Sequence, residues 1–260
     1  MPGVWLEDLT WPEAAERFKA GALVVVPIGA IAKEHGHHLP LKTDWMLARE
    51  LGRRIAAALP VVVAPVVCFG YYPAFVRYPG SQHLTAETFT LVLKELIGNL
   101  IDHGVKRIAV VNTGVSTEAP LRIALRDIYE DRRVRVSSAD IRALGTATRK
   151  LAQQKLGGHG DESETSMILA IDRAAVRMDK ARTDYGHSLD EPRTVFYQPV
   201  VFDGDPASGP DYSATGVKGD PSLATPEKGE AILADMAREL VDGLRALYPE
   251  APGLQMTGMR

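Results

Sequence analysis

The chain has 260 residues, 45% of them hydrophobic and 24% charged, with a formal net charge of −3. This is the composition of a globular domain able to bury a core of native size, and the lack of a long basic block argues against a nucleic-acid partner. No apolar run approaches the roughly 18 residues of a membrane helix, the first residues are acidic rather than a basic leader, and the single cysteine, Cys68, excludes an intrachain disulfide, so no membrane partner and a cytoplasmic setting are expected.

In chain order, Leu23-Val24-Val25-Val26-Pro27-Ile28-Gly29 is a continuous apolar run that reads as a buried strand. A helix begins at Trp45, with Leu47, Leu51, Ile55, Ala58 and Leu59 on one stripe. Val61 to Val67 is strand-like but interrupted by Pro65, and Phe89, Leu93, Leu96, Ile97 and Leu100 mark a second helix. Arg107 to Asn112 reads as a short buried strand, Val134 to Ser137 as a weaker one, and Thr194 to Tyr197 as an edge strand. The stretch 185–222, rich in Pro, Gly and Asp, reads as an ordered excursion over the site. The reason is the strong helix after it, from Thr225 to Leu247 with Ile232, Met236, Leu240 and Leu244 on one side. Thr225 before Pro226 and Glu227 is a good helix start. The alternation predicts an α/β fold: one domain over 1–260, with a mostly parallel central sheet and helices on both faces.

Polar residues gather where these strands end. The first exit, Lys33-Glu34-His35-Gly36-His37-His38 through Asp44, holds three of the seven histidines with two carboxylates. Imidazole and carboxylate together suit zinc, manganese or iron(II), and ligands of open α/β sheets bind beyond the strands' carboxyl ends. The second exit runs from Phe69 through Tyr71, Tyr72, Arg77 and His83, and the third is Asn112-Thr113-Gly114-Val115-Ser116-Thr117. A fourth cluster, Gly157 to Ser166, joins a glycine-rich loop to a helix and carries His159, Asp161 and Glu164. Bland readings stand beside these. Asp44 has the position of a helix N-cap, Asp161 and Glu164 have capping-box spacing, and His83 and Arg77 suit a backbone-bonded histidine and a surface ion pair.

These motifs resemble the creatininase (creatinine amidohydrolase) family. The resemblance rests on Pro27-Ile28-Gly29-Ala30, His35-Gly36-His37-His38-Leu39-Pro40-Leu41-Lys42-Thr43-Asp44, Tyr78-Pro79-Gly80-Ser81, Leu84 to Thr88, His159 to Ser166 and Gly216 to Pro221, and spans roughly positions 22 to 245. It implies a creatininase-like domain that hydrolyses a carbon–nitrogen bond in a small molecule, an amide, lactam or formamide, with one or two divalent ions (zinc, manganese or iron). It further implies a homo-oligomer, commonly a hexamer, for which Tyr71, Tyr72, Phe75 and Tyr78 look like interface aromatics. Asp44 would be shared by two ions with His35 beside it, His159 would carry protons, and Glu164 would be a site carboxylate.

The chain departs from that pattern twice. The family has Glu two residues before the loop histidine, where this chain has Lys33, with Glu34 adjacent to His35. A bulge would bring Glu34 to the ligand position. The third exit has neither imidazole nor carboxylate, leaving His83 or His37 to compensate. The expected metal set is therefore Glu34, His35, Asp44, Glu164 and His83; the catalytic pair is His159 and Glu164; and Tyr71, Tyr72, Arg77 and Ser116 are expected to touch substrate. The contrasting expectation is a binding or regulatory protein that keeps the fold without turnover.

Overall fold

A computed structural model describes residues 3–186, 195–196, 199 and 201–254. Five strands, β1 (Val4–Trp5), β2 (Val24–Ile28), β3 (Val62–Val63), β4 (Ile108–Asn112) and β5 (Val136–Asp140), form one sheet in the order β1-β3-β2-β4-β5. Every pairing is parallel, so all five strands point the same way. The helices are α1 (Trp11–Lys19), α2 (Thr43–Ala58), α3 (Ala86–Asp102), α4 (Glu118–Arg132), α5 (Glu162–Ile171) and α6 (Pro226–Leu247).

The continuous apolar runs are explained by burial on both sides. Val25 of β2 and Val111 of β4 face a core built with Leu47 and Leu51 of α2, Ile168 of α5 and Leu233 of α6. Their neighbours Val24, Val26 and Val110 face the opposite core, with Phe89 and Leu93 of α3 and Leu121 of α4. Strands sandwiched between helix layers have no polar face to alternate with. No helix among the described residues is long and apolar enough to cross a membrane.

Several boundaries differ from those expected. The run 61–67 pairs only over Val62–Val63, because Pro65 has no N–H to give the ladder; Val67 rejoins through a single bridge to Ile28. The fifth strand is Val136–Asp140 rather than 134–137. Of the expected strand 194–197, Thr194 and Tyr197 lie outside the described residues, and Val195 and Phe196 form a bend. Strand β1 and helices α1 and α4 were not anticipated. Helix α2 begins at Thr43, which puts Asp44 in its first turn rather than at a cap.

The sheet register sets up the site. Ile28, Asn112 and Asp140 are in lateral register, so the chain leaves β2, β4 and β5 at one level of one edge. Gly29 allows the next step. A Cβ there would collide with the Asp44 carbonyl and lie 2.8 Å from the Ala48 side chain, so only glycine lets β2 end hard against α2. Thr113 ties the same point together, its hydroxyl donating to the carbonyls of Ile28 and Asp44 at 3.0 Å each.

Candidate functional site

The first three exits meet over the edge of the sheet. Lys33, Asp44, Tyr72, Gly114, Ser116 and Thr117 line one small recess there. The fourth cluster closes on it from α5. His159 is bridged in antiparallel fashion to Lys218, which fixes its backbone against the later excursion.

Asp44 is almost completely buried and its two oxygens face different partners. Oδ1 lies 2.9 Å from His35 Nε2, and Oδ2 lies 2.7 Å from the Lys33 ammonium. Burial pushes its pKa upward, but the charges of Lys33 and His35 prevail and hold the carboxyl well below the usual range. His35 Nδ1 lies 2.9 Å from the Lys33 carbonyl. Both His35 nitrogens thus face oxygen atoms, and the nitrogen that would ligate an ion has to exchange its oxygen partner for it.

Glu34 turns away from His35 and Asp44. Its carboxylate accepts from the Gly36 backbone N–H and lies 3.0 Å from His159 Nε2. Gly36, at φ 77°, makes this sharp turn possible. Gly216, at φ 70°, lies against the carboxylate, and a Cβ there would collide with it. Burial raises the pKa of Glu34, but the charge and hydrogen bond of His159 outweigh it and leave the group lowered. Conversely, burial depresses His159, and Glu34 more than compensates, leaving the imidazole raised. His159 Nδ1 is directed to the other side, 3.9 Å from Glu164 Oε2. Donor atoms of His35, His159 and Glu164 all lie within 4.8 Å of one another.

Aromatic rings roof the cluster. His159 stacks on Phe75 with centroids 4.0 Å apart, Phe75 on Phe202 at 5.1 Å, and His35 lies 4.7 Å from His159. Phe202 belongs to the stretch expected to pass over the site, and its ring lies 5.7 Å from that of His159; residues 187–194, 197–198 and 200 of that stretch lie outside those described. Tyr72 and Phe75 are buried, so these two are part of the roof rather than interface aromatics, as exposure at an interface would require.

The remaining expected residues divide. Ser116 lines the recess with Lys33 and Asp44. The Tyr72 hydroxyl is taken by the Gln82 carbonyl, so this side chain braces the second exit. Arg77 is ion-paired with Asp203 and is 62% exposed, which anchors the excursion instead of facing the recess. His83 packs near Tyr71 and Tyr72, with ring centroids 6.4 and 6.0 Å away, and stands outside the three-donor cluster. His37 is exposed. At the third exit, Asn112 donates to Asp140 and Gly114 at 2.8 Å each, a structural brace that offers no ligand to the cluster. Asp161 does cap α5, accepting from the N–H groups of Ser163 and Glu164.

Sequence reasoning did not place Lys33, Phe75 or Phe202 in the site. For Lys33 the available signal was its position beside Glu34 in a motif that otherwise carries only imidazole and carboxylate.

His38 gives a measurable pH dependence. It is fully buried, and its one hydrogen-bonded nitrogen, Nε2, meets the Thr165 hydroxyl at 2.8 Å. Burial and the charge of His35 push its pKa down to about 4, with Glu164 and Glu34 opposing in part. A histidine depressed in the native state leaves the unfolded chain to bind the proton first. Stability is therefore lost as pH falls through about 6.5 and levels off below about 4. His38→Gln keeps a partner for Thr165 without titrating. Urea unfolding should show the variant's stability relative to wild type rising by about 3 kcal/mol between pH 7 and pH 4. A pH-independent difference would contradict this account.

The fold and site together are those of a parallel α/β protein with a histidine–carboxylate centre at the carboxyl edge of its sheet. The chain belongs to the creatininase family: the family's sequence model, described as creatinine amidohydrolase, matches residues 7–244. It is 28% identical over 265 residues to the creatinine amidohydrolase of Pseudomonas putida, covering 95% of this chain and 98% of that one. It is 25% identical over 281 residues to a 3-dehydro-scyllo-inosose hydrolase of Thermotoga maritima, covering 99% and 89%. A solved creatininase variant of Zn–Zn type superposes with a TM-score of 0.75 at 25% identity, over 95% of this chain and 98% of that one.

Proposed function

We propose that the chain is a cytoplasmic, homo-oligomeric hydrolase that cleaves a carbon–nitrogen bond in a small amide, lactam or formamide, using one divalent ion. The observation that carries this reading is the convergence of His35, His159 and Glu164. Two imidazoles and a carboxylate are a donor set suited to zinc, manganese or iron. The donors need to draw together by roughly 1–1.5 Å to share an ion at ligand distances near 2.1 Å. His159 has the backing such a ligand requires, because Nε2 is held by Glu34 while Nδ1 faces the cluster.

When bound, the ion would lower the pKa of a water and polarise the scissile carbonyl. The protein's own residues do the rest. Glu34 fixes the plane of the His159 ring and stabilises its proton at Nε2. In this reading His159 is a ligand instead of a free proton carrier, since that nitrogen is committed to Glu34. Phe75 and Phe202 cover the ring of His159 and keep water from it. Glu164 opens onto a cavity of about 400 Å³, with Met167, Ile232 and Met236 on its apolar wall and Gln154, Asp161 and Ser163 supplying polar groups. That is room for a small molecule with a polar end.

A second reading, a binding protein without turnover, is favoured by the third exit, where Asn112 is spent on structure. Elemental analysis of protein purified without added metal, followed by product assays on a panel of small amides, lactams and formamides, separates the two. About one ion per chain with amide cleavage is expected. A metal-free protein that stays inert when zinc or manganese is supplied would favour the second reading.

A further inference from the structure

The recess at Asp44 disagrees with a two-ion centre. Lys33 is only 6% exposed although lysine is rarely buried. Its ammonium stands 2.7 Å from Asp44 Oδ2 and 5.0 Å from the centroid of the Phe75 ring. The other carboxylate oxygen is taken by His35. Space is equally restrictive. The recess shared by Lys33, Asp44, Tyr72 and Ser116 has a volume of about 10 Å³, close to the minimum for a single water. The backbone holds the arrangement in place, because the Lys33 N–H donates to the Leu41 carbonyl at 3.0 Å and closes the loop between them. A divalent ion on Asp44 would have to share this space with a fixed ammonium only a few ångströms away, and like charges so close and so poorly solvated repel strongly.

We propose that Lys33 is a built-in cation that replaces a divalent ion at Asp44, so that the site holds at most one ion and Asp44 is not among its ligands. The charge balance of the Asp44 side is then covalently part of the chain. It does not vary with metal supply, and chelation leaves this half of the site intact. Lys33 is a positioning residue. It holds Asp44, which holds His35, one of the three donors. The proposal concerns Asp44 and stands apart from the single-ion reading, which concerns His35, His159 and Glu164.

The test is metal stoichiometry by elemental analysis after dialysis against zinc or manganese, read beside the thermal midpoint with and without EDTA. Wild type should carry no more than one ion per chain. Asp44→Asn should leave that count unchanged, because the residue is not a ligand and its amide oxygen can still accept from His35 Nε2. Lys33→Glu replaces the ammonium with a carboxylate beside Asp44 and should gain about one ion per chain. Lys33→Met leaves a buried carboxylate uncompensated. Its midpoint in EDTA should fall by roughly 10 °C and recover in part when manganese is added. Two ions in wild type, or loss of the ion in Asp44→Asn, would overturn the proposal. So would a folded Lys33→Glu that gains none. If Lys33→Glu does not fold, wild type and Asp44→Asn still decide. No ion in wild type but one in Lys33→Glu would uphold Lys33 and remove the single-ion reading. One ion in wild type that is lost in Asp44→Asn would do the reverse.

Discussion

Replacing His159 with Asn is expected to reduce turnover of a cleaved amide by about 10²- to 10⁴-fold and to lower bound metal with it. The size follows from how many roles meet in one ring. Its Nε2 is held by Glu34 and its Nδ1 faces Glu164. Its face lies on Phe75. Asn keeps a polar group but supplies neither the second nitrogen nor the stacked surface. Glu34→Gln is the matching control. It can still meet Nε2 but without charge, and it is the Glu34 charge that raises the pKa of the imidazole. The pH profile of Glu34→Gln should therefore move to lower pH, with a smaller loss of rate. Turnover and metal content at wild-type levels in folded His159→Asn would show that the cluster is not the reacting centre.

A large stability effect is expected at Glu162, in the first turn of α5. Its side chain is 1% exposed and saturated with donors. Oε2 accepts from the backbone N–H groups of Gln153 and Gln154 at 2.8 Å each, and Oε1 meets the Lys228 ammonium of α6 at 2.5 Å. Glu162→Ala would remove the acceptor of two part-buried backbone N–H groups and take from Lys228 its carboxylate partner. A loss of about 2–3 kcal/mol is expected in chemical denaturation. Glu162→Gln should cost less, since an amide oxygen can still accept from the backbone. A cost under about 1 kcal/mol for Glu162→Ala would place the residue with ordinary surface carboxylates. The effect should also reach the site, because the same turn carries Asp161 and Glu164.

What the amino-acid sequence revealed depended on whether a residue's surroundings are near it in the chain. Strands β2 and β4 were legible because burial on both faces leaves an uninterrupted apolar run. Helix α6 was legible from its stripe and its threonine start, whose hydroxyl indeed accepts from Lys228 N–H. Helix α1 was not, since Phe18 is its single fully buried residue and a stripe of one cannot be seen. The loop 33–44 announced a polar centre by composition alone. The division of labour within it was hidden, because an irregular turn through Gly36 has no period from which side-chain directions follow. Glu34 was expected beside His35 and stands behind His159 instead. Lys33 was legible only as the residue that stands where the family has Glu. Its burial is imposed by Phe75, some forty positions on, and by Phe202 stacked behind it. The burial of Tyr72 and Phe75 was hidden for the same reason.

The roof of stacked rings also fixes a timetable. Among the described residues the last strand of the sheet ends at Asp140, yet Phe202 and Gly216 lie far beyond it in the chain. At about 5–20 residues per second, the ribosome needs several more seconds to deliver them. During that interval a growing chain can possess strands β1 to β5 and the loop with Glu34 and His35 while His159 still lacks its cover. A copy shortened before Phe202 would lack α6 as well, and so lose one helix layer of the core together with the cover of its centre.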